Sequence, residues 1–159
     1  MAQNVADRDR HRIVGSCIIY DQGGRFLALK RRPDLKVYPG LWTVPAGGMD
    51  RDDYALLPQT SPDGWENPLE IAMRREIKEE SGIEVGSLEA LGHFTFIRPD
   101  NIPVFGMRFA APYLSGKVTI DPEDSTEFAW VSVEDVGKYD FLGRIADEIR
   151  DFSEKLKQR

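Results

Sequence analysis

A chain of 159 residues with 41% apolar and 30% charged side chains is long enough to bury a core without metal or disulfide support, and its one cysteine excludes a disulfide framework. The 27 acidic residues outnumber the 21 basic ones, and the net charge of −6 sets the molecule against polymeric nucleic acid and anionic bilayers. Residues 1–10 carry no hydrophobic signal segment and no apolar run reaches bilayer-spanning length, so a soluble, cytoplasmic protein with one domain over residues 1–159 is expected.

Residues 12–20 predict a strand in which Cys17 is a packed core residue. Asp21-Gln22-Gly23-Gly24 predicts a turn and residues 25–31 a second strand, so the pair reads as a hairpin. Residues 33–40 form a loop, and Leu41-Trp42-Thr43-Val44 a short extended segment ended by Pro45. That segment delivers the chain to Gly47-Gly48, whose missing side chains permit a sharp turn and close approach of a phosphate to backbone. Residues 49–66 hold four aspartates, two prolines, Tyr54 and Trp65, the composition of a surface loop.

A helix follows, with Asn67 as N-cap, Pro68 at its first position, Glu70 placed for a capping box and Gly82 as the stop. Leu69, Ala72, Met73 and Ile77 make its apolar stripe. Residues 84–97 predict a strand in which Gly92 permits a bulge, and residues 104–110 its antiparallel return. Residues 112–124 form a long connection with a short extended piece at 117–120, then residues 127–131 a strand and 133–136 a turn of helix. Ile145, Ile149, Phe152 and Leu156 recur at helical spacing, a stripe suited to cover one side of a sheet. The expected class is α+β, a mixed sheet enclosed by helices.

The chemistry concentrates in Arg75-Glu76-Ile77-Lys78-Glu79-Glu80-Ser81-Gly82-Ile83. On a helix Glu76, Glu79 and Glu80 lie at about 0°, 300° and 40°, one sector of roughly 100°. Like charges so placed repel, and a divalent cation removes the penalty; magnesium or manganese accepts such hard oxygen ligands alongside phosphate oxygens. A solvated acidic face is the plain alternative. Arg75, four residues before Glu79, is placed to orient that carboxylate. In an acidic chain a polyphosphate needs local positive charge, for which Lys30-Arg31-Arg32 is the best source, followed by Arg74, Arg75 and Arg98. Arg108 reads as an exposed sheet residue or a substrate contact, and His93 and His11 have little claim as bases. Trp42, Tyr54, Trp65, Phe94, Phe96 and Phe105 are candidates for stacking on a base or for packing.

The run Arg75 to Ile83, with the preceding Val44-Pro45-Ala46-Gly47-Gly48, resembles the signature of the Nudix hydrolases, MutT-like enzymes that cleave nucleoside diphosphate derivatives. The resemblance implies a Nudix-like α/β/α sandwich. It implies Mg²⁺, or Mn²⁺ in its place, bound by Glu76, Glu79 and Glu80, with Arg75 bracing them, Gly47 and Gly48 opening the loop, and Glu123, Asp124 or, first among them, Glu127 as a further ligand or base. Arg31, Arg32, Trp42 and Phe94 complete the expected substrate contacts. The activity implied is metal-dependent hydrolysis of a phosphoanhydride in a small nucleotide; a catalytically inactive nucleotide-binding or regulatory domain and a structural or interaction protein are the alternatives.

One departure stands out. Between Gly48 and Arg75 lie 26 residues, a longer spacing than the family's, which defines an insertion at about 49–66. The pattern's upstream glutamate falls at Ala55 or near Asn67, counted from either end, so that role is unassigned, with Glu66 and Glu70 nearby. The insertion suits a lid, a homodimer contact or a tolerated loop.

Overall fold

The computed structural model describes residues 9–159, and the leader read over residues 1–10 lies for the most part outside them. Strands β1 (Arg12–Tyr20), β2 (Phe26–Arg31), β3 (Trp42–Thr43) and β4 (Ala46–Gly48) precede two helices, α1 (Asp52–Ala55) and α2 (Pro68–Ser81). Then come β5 (Glu84–Val85), β6 (Glu89–Ile97), β7 (Pro103–Ser115), β8 (Ser125–Val131), a 3-10 helix (Val133–Lys138) and α3 (Ile145–Lys157). The strands form one mixed sheet of eight.

The period of two along β1 and β2 explains why helices cover both faces. Cys17, Ile19, Leu27 and Leu29 point to one side, where they meet Met73 and Ile77 of α2. Their neighbours Ile18, Phe26 and Ala28 point to the other and meet Ile149 and Phe152 of α3. A strand buried on both faces reads as a continuous apolar run, which is what Phe26-Leu27-Ala28-Leu29 presents. Full burial of side chains such as Phe152 and Ile149 contributes roughly 1.5–3 kcal/mol each.

β1 is the organising strand. It runs parallel to β7 from Arg12↔Val104 to Tyr20↔Pro112, and antiparallel to β4 from Val14↔Gly48 to Ser16↔Ala46. The predicted hairpin of β1 and β2 is registered only at Tyr20↔Phe26, beside the turn. Beyond it the strands part, because β2 pairs instead with β3 and β8.

Several local expectations need correction. Gly47 and Gly48 sit in strand β4 and make no sharp turn. Asn67 occupies the N-cap position in the left-handed conformation (φ 54°, ψ 39°) and its side chain makes no capping hydrogen bond. At the other end Gly82 (φ 70°) closes α2 through its N–H to the Lys78 carbonyl. The strand expected over 84–97 divides into β5 and β6, with the bulge between Ala90 and Gly92. Residues 117–120 add no strand; Thr119 N–H caps the Ser81 carbonyl at 2.9 Å while Val118 and Ile120 pack on the α2-side core. The insertion is a self-packed loop containing α1, with the Tyr54 and Trp65 rings 5.3 Å apart and Trp65 Nε1–H donating to the Leu57 carbonyl. Among the described residues no helix is long and apolar enough to cross a membrane.

Candidate active site

Helix α2 turns Ala72, Met73 and Ile77 into the core, which leaves Arg75, Glu76, Glu79 and Glu80 along the flank beside β4. Arg75 is the hub of this flank. Its Nη1 donates to Glu76 at 2.8 Å and to Glu79 at 3.0 Å, while Nη2 donates to the Gly48 carbonyl at 3.0 Å. The rest of the guanidinium fork meets Asp53 of α1 through both carboxylate oxygens, and Asp53 is only 4% exposed. This ion pair holds the Asp53 carboxyl below its usual range, chiefly through the hydrogen bonds from Arg75.

Adjacent residues of β4 face opposite sides, and that alternation accounts for both glycines. A side chain at Gly47 would collide with the Glu76 carboxyl group, and one at Gly48 with the Arg12 guanidinium. The glycines therefore serve close approach within a strand. Next to them the Ala46 N–H donates to Glu80 at 2.9 Å. Burial pushes the Glu80 carboxyl up to about 8, aided by the neighbouring charges of Glu76 and Asp124. Burial also raises Glu76, with Arg75 pulling the other way.

On the Gly48 side lies a cavity of about 490 Å³. Gly48, Val14, Gly106 and Phe94 stand in one register row across β4, β1, β7 and β6, so the cavity spans roughly 14 Å of sheet from glycine to aromatic ring. Arg12, Arg31, Arg98, Arg108 and Arg144 line it, against the single carboxylate of Glu148. Arg108 pairs with Glu148 at 2.6 Å and lies over the Phe94 ring at 4.4 Å. Arg31 is fixed by the carbonyls of Val37 and Tyr38 at 2.7 and 3.0 Å. Arg98 carries the one buried side-chain polar atom among the described residues with no hydrogen-bond partner, its Nε.

A family model described as the NUDIX domain matches residues 9–156. The chain belongs to the Nudix family. Members are hydrolases of phosphoric anhydrides in small nucleotides, and this protein is a pyrophosphohydrolase of that kind. The nucleoside triphosphatase NudI of Escherichia fergusonii is 27% identical over 135 residues, 78% of this chain and 84% of that one. Among solved structures, the MutT protein of Methanosarcina mazei superposes with a TM-score of 0.67 at 21% identity, over 94% of this chain and 96% of that one. The NUDIX domain of Shewanella oneidensis NrtR, crystallised with ADP ribose, gives 0.71 at 15% identity, over 92% and 89%.

Nudix hydrolases generally use divalent metal ions. Among the described residues no three His, Cys, Asp or Glu side chains converge into a closed cage, because Arg75 holds Glu76 and Glu79 while Ala46 holds Glu80. The donor set nevertheless fits a hard cation. Glu76 and Glu80 are carboxylates whose burial disfavours their charge, and among the described residues Glu80 forms no ion pair. A bound cation would offset that cost.

Three expected site residues of this Nudix chain are engaged elsewhere. Lys30, Trp42 and Glu127 stand opposite one another across β3, β2 and β8. Glu127 is taken by Lys30 at 2.8 Å, and the Trp42 ring packs edge-on against Tyr139 at 4.9 Å, so neither lines the cavity while their neighbours Arg31 and Thr43 do. Arg32 lies past the end of β2, where Asp34 binds it and lifts its pKa. Conversely, Asp53, Arg12, Arg144 and Glu148 escaped the sequence reading. Only the acidity of the insertion hinted at Asp53, and nothing separated it from Asp50, Asp52 and Asp63.

Proposed function

We propose that the protein hydrolyses a phosphoanhydride in a nucleoside diphosphate derivative, using Mg²⁺ held by Glu76, Glu79 and Glu80, with Mn²⁺ able to replace it. The observation that carries this reading is the position of β4, with buried carboxylates on one face and an arginine-lined cavity on the other. The bare Cα atoms of Gly47 and Gly48 let the Glu76 carboxyl group and the Arg12 guanidinium pack directly on the strand, so β4 sets an acidic group on one face and a basic group on the cavity face that reaches to Phe94.

The bound cation supplies charge neutralisation at the phosphoryl oxygens and a more reactive water. Arg75 fixes the carboxylate oxygens of Glu76 and Glu79. Arg31, braced by two carbonyls, adds a fixed positive charge for a phosphate. Phe94, with Arg108 on its ring, forms a flat surface suited to a base. A cavity of about 490 Å³ encloses more than a phosphate chain, which favours a nucleotide sugar or a similar derivative with a second moiety.

The test is hydrolysis of a panel of nucleoside triphosphates, nucleotide sugars and dinucleotides with Mg²⁺, products being identified by mass. Two phosphate-bearing products are expected, one a nucleoside monophosphate. Glu79→Gln and Glu80→Gln should lose activity by about 100-fold or more without loss of fold. Absence of Mg²⁺-dependent cleavage across the panel would refute the proposal.

A further inference from the structure

We infer that the cavity binds a second anionic group of the substrate, a phosphate monoester or a carboxylate outside the anhydride, through Arg12 and Arg98. The inference rests on the proposed hydrolysis of a nucleoside diphosphate derivative and narrows the substrate to derivatives that carry such a group. Its starting point is a charge imbalance. Five arginines and one carboxylate line the cavity of a chain whose net charge is −6. Arg108 is spent on Glu148 at 2.6 Å, and Arg31, held by two carbonyls, is set for a phosphate of the anhydride. Arg12, Arg98 and Arg144 remain, and among the described residues neither Arg12 nor Arg144 forms an ion pair.

Two of these three share one wall. Arg12, Val104 and Phe96 stand in a register row across β1, β7 and β6, and Arg98 follows Phe96 along the cavity side. The backbones of Arg12 and Phe96 are two strand spacings apart, roughly 10 Å, so two long cationic side chains flank the apolar floor made by Val104. This row lies about 7 Å along the strands from the row that joins Gly48 to Phe94. A nucleotide reaching from β4 to the Phe94 ring therefore passes the arginine pair at its middle. Arg98 adds an independent sign of a ligand. Its side chain is 24% exposed, Asp100 takes Nη2 at 2.7 Å, and its Nε is buried without an acceptor. The turn fixes this pose, with the Asn101 N–H donating to the Arg98 carbonyl at 2.8 Å and Asn101 at φ 65°. A buried donor left unpaired is disfavoured, and an anion drawn to the guanidinium supplies the acceptor that the protein withholds.

The experiment measures binding by isothermal titration calorimetry in EDTA, so that neither metal nor turnover enters. Two pairs of probes separate the sources of the anion. Adenosine 5′-monophosphate against adenosine 3′,5′-bisphosphate tests a phosphate on the ribose, and UDP-glucose against UDP-glucuronate tests an acidic second moiety. In at least one pair the anionic member should bind about tenfold or more tightly, a preference that shrinks at high salt. Arg12→Gln and Arg98→Gln should each cut it to about threefold or less, and Arg98→Lys should keep part of it. Circular dichroism checks each variant, and if Arg98→Gln does not fold, the wild type and Arg12→Gln decide. Equal affinities within both pairs, or no binding of any of the four probes, would overturn the inference, as would a preference that persists in the folded glutamine variants. A wild type that prefers an anionic probe but cleaves nothing with Mg²⁺ would sink the proposed activity alone. One that cleaves derivatives without the extra anion and shows no preference in either pair would sink this inference alone.

Discussion

The Glu80 carboxylate accepts a hydrogen bond from the Ala46 N–H at 2.9 Å, which sets a buried anion against the strand that carries Gly47 and Gly48. One backbone donor does not offset the desolvation, so the carboxyl is pushed up to about 8.

That shift has a defined sign in the metal-free protein. The folded state keeps the Glu80 proton to higher pH than the unfolded chain, so it binds more protons between the ordinary glutamate value of 4.5 and about 8. Stability in chelator should therefore fall as pH rises through that window, by on the order of 3 kcal/mol at pH 7 from this group. Glu80→Gln should flatten the dependence and raise the metal-free Tm near pH 8. Thermal unfolding in EDTA from pH 5 to 8 checks this; equal slopes in wild type and variant would contradict it.

Gly47 and Gly48 are neighbours with separable effects. Gly47→Ala drives a methyl into the Glu76 carboxyl group, so it should weaken Mn²⁺ binding and cost about 1–3 kcal/mol of stability. Gly48→Ala displaces the flexible Arg12 side chain instead, and its Mn²⁺ affinity should stay nearer wild type. Parallel Mn²⁺ titrations and denaturant curves separate the two.

Phe94 stands at the far end of the register row from Gly48. Phe94→Ala removes a surface for the base without touching the carboxylates, so KM should rise about fivefold and kcat change little, equivalent to about 1 kcal/mol of uniform binding. Steady-state kinetics with the best substrate decide it; a fall in kcat at constant KM would place Phe94 in the chemistry instead.

Cys17 is fully buried, and burial pushes its thiol up to about 12, with Arg74 opposing weakly. The native protein should resist thiol reagents at pH 8 and release one equivalent only on unfolding. Stoichiometric labelling of the folded state would contradict this packing.

What was legible in the sequence is what local periodicity encodes. The α2 stripe, its glycine stop and the bulge at Gly92 all follow from spacing and from residues with special backbone freedom. The parallel pairing of β1 with β7 left no trace, because partners some ninety residues apart, such as Arg12 and Val104, share no turn that announces them. The glycine pair misled for a related reason. Glycine marks both turns and close approaches, and only the tertiary position of Glu76 and Arg12 separates these. Within the site, helical spacing placed Arg75 beside Glu79. No spacing indicated Asp53, twenty-two residues upstream, nor that Lys30 would engage Glu127 across two strands.

The account turns on a divalent cation bound where α2 meets β4, and the direct measurement is Mn²⁺ titration of the wild type and of Glu80→Gln at pH 7.5, followed by electron paramagnetic resonance. Wild type should take up Mn²⁺, and Glu80→Gln should bind it about tenfold or more weakly while keeping its circular dichroism spectrum. Wild type leaving Mn²⁺ free in solution, or a folded Glu80→Gln protein binding it equally well, would contradict the account.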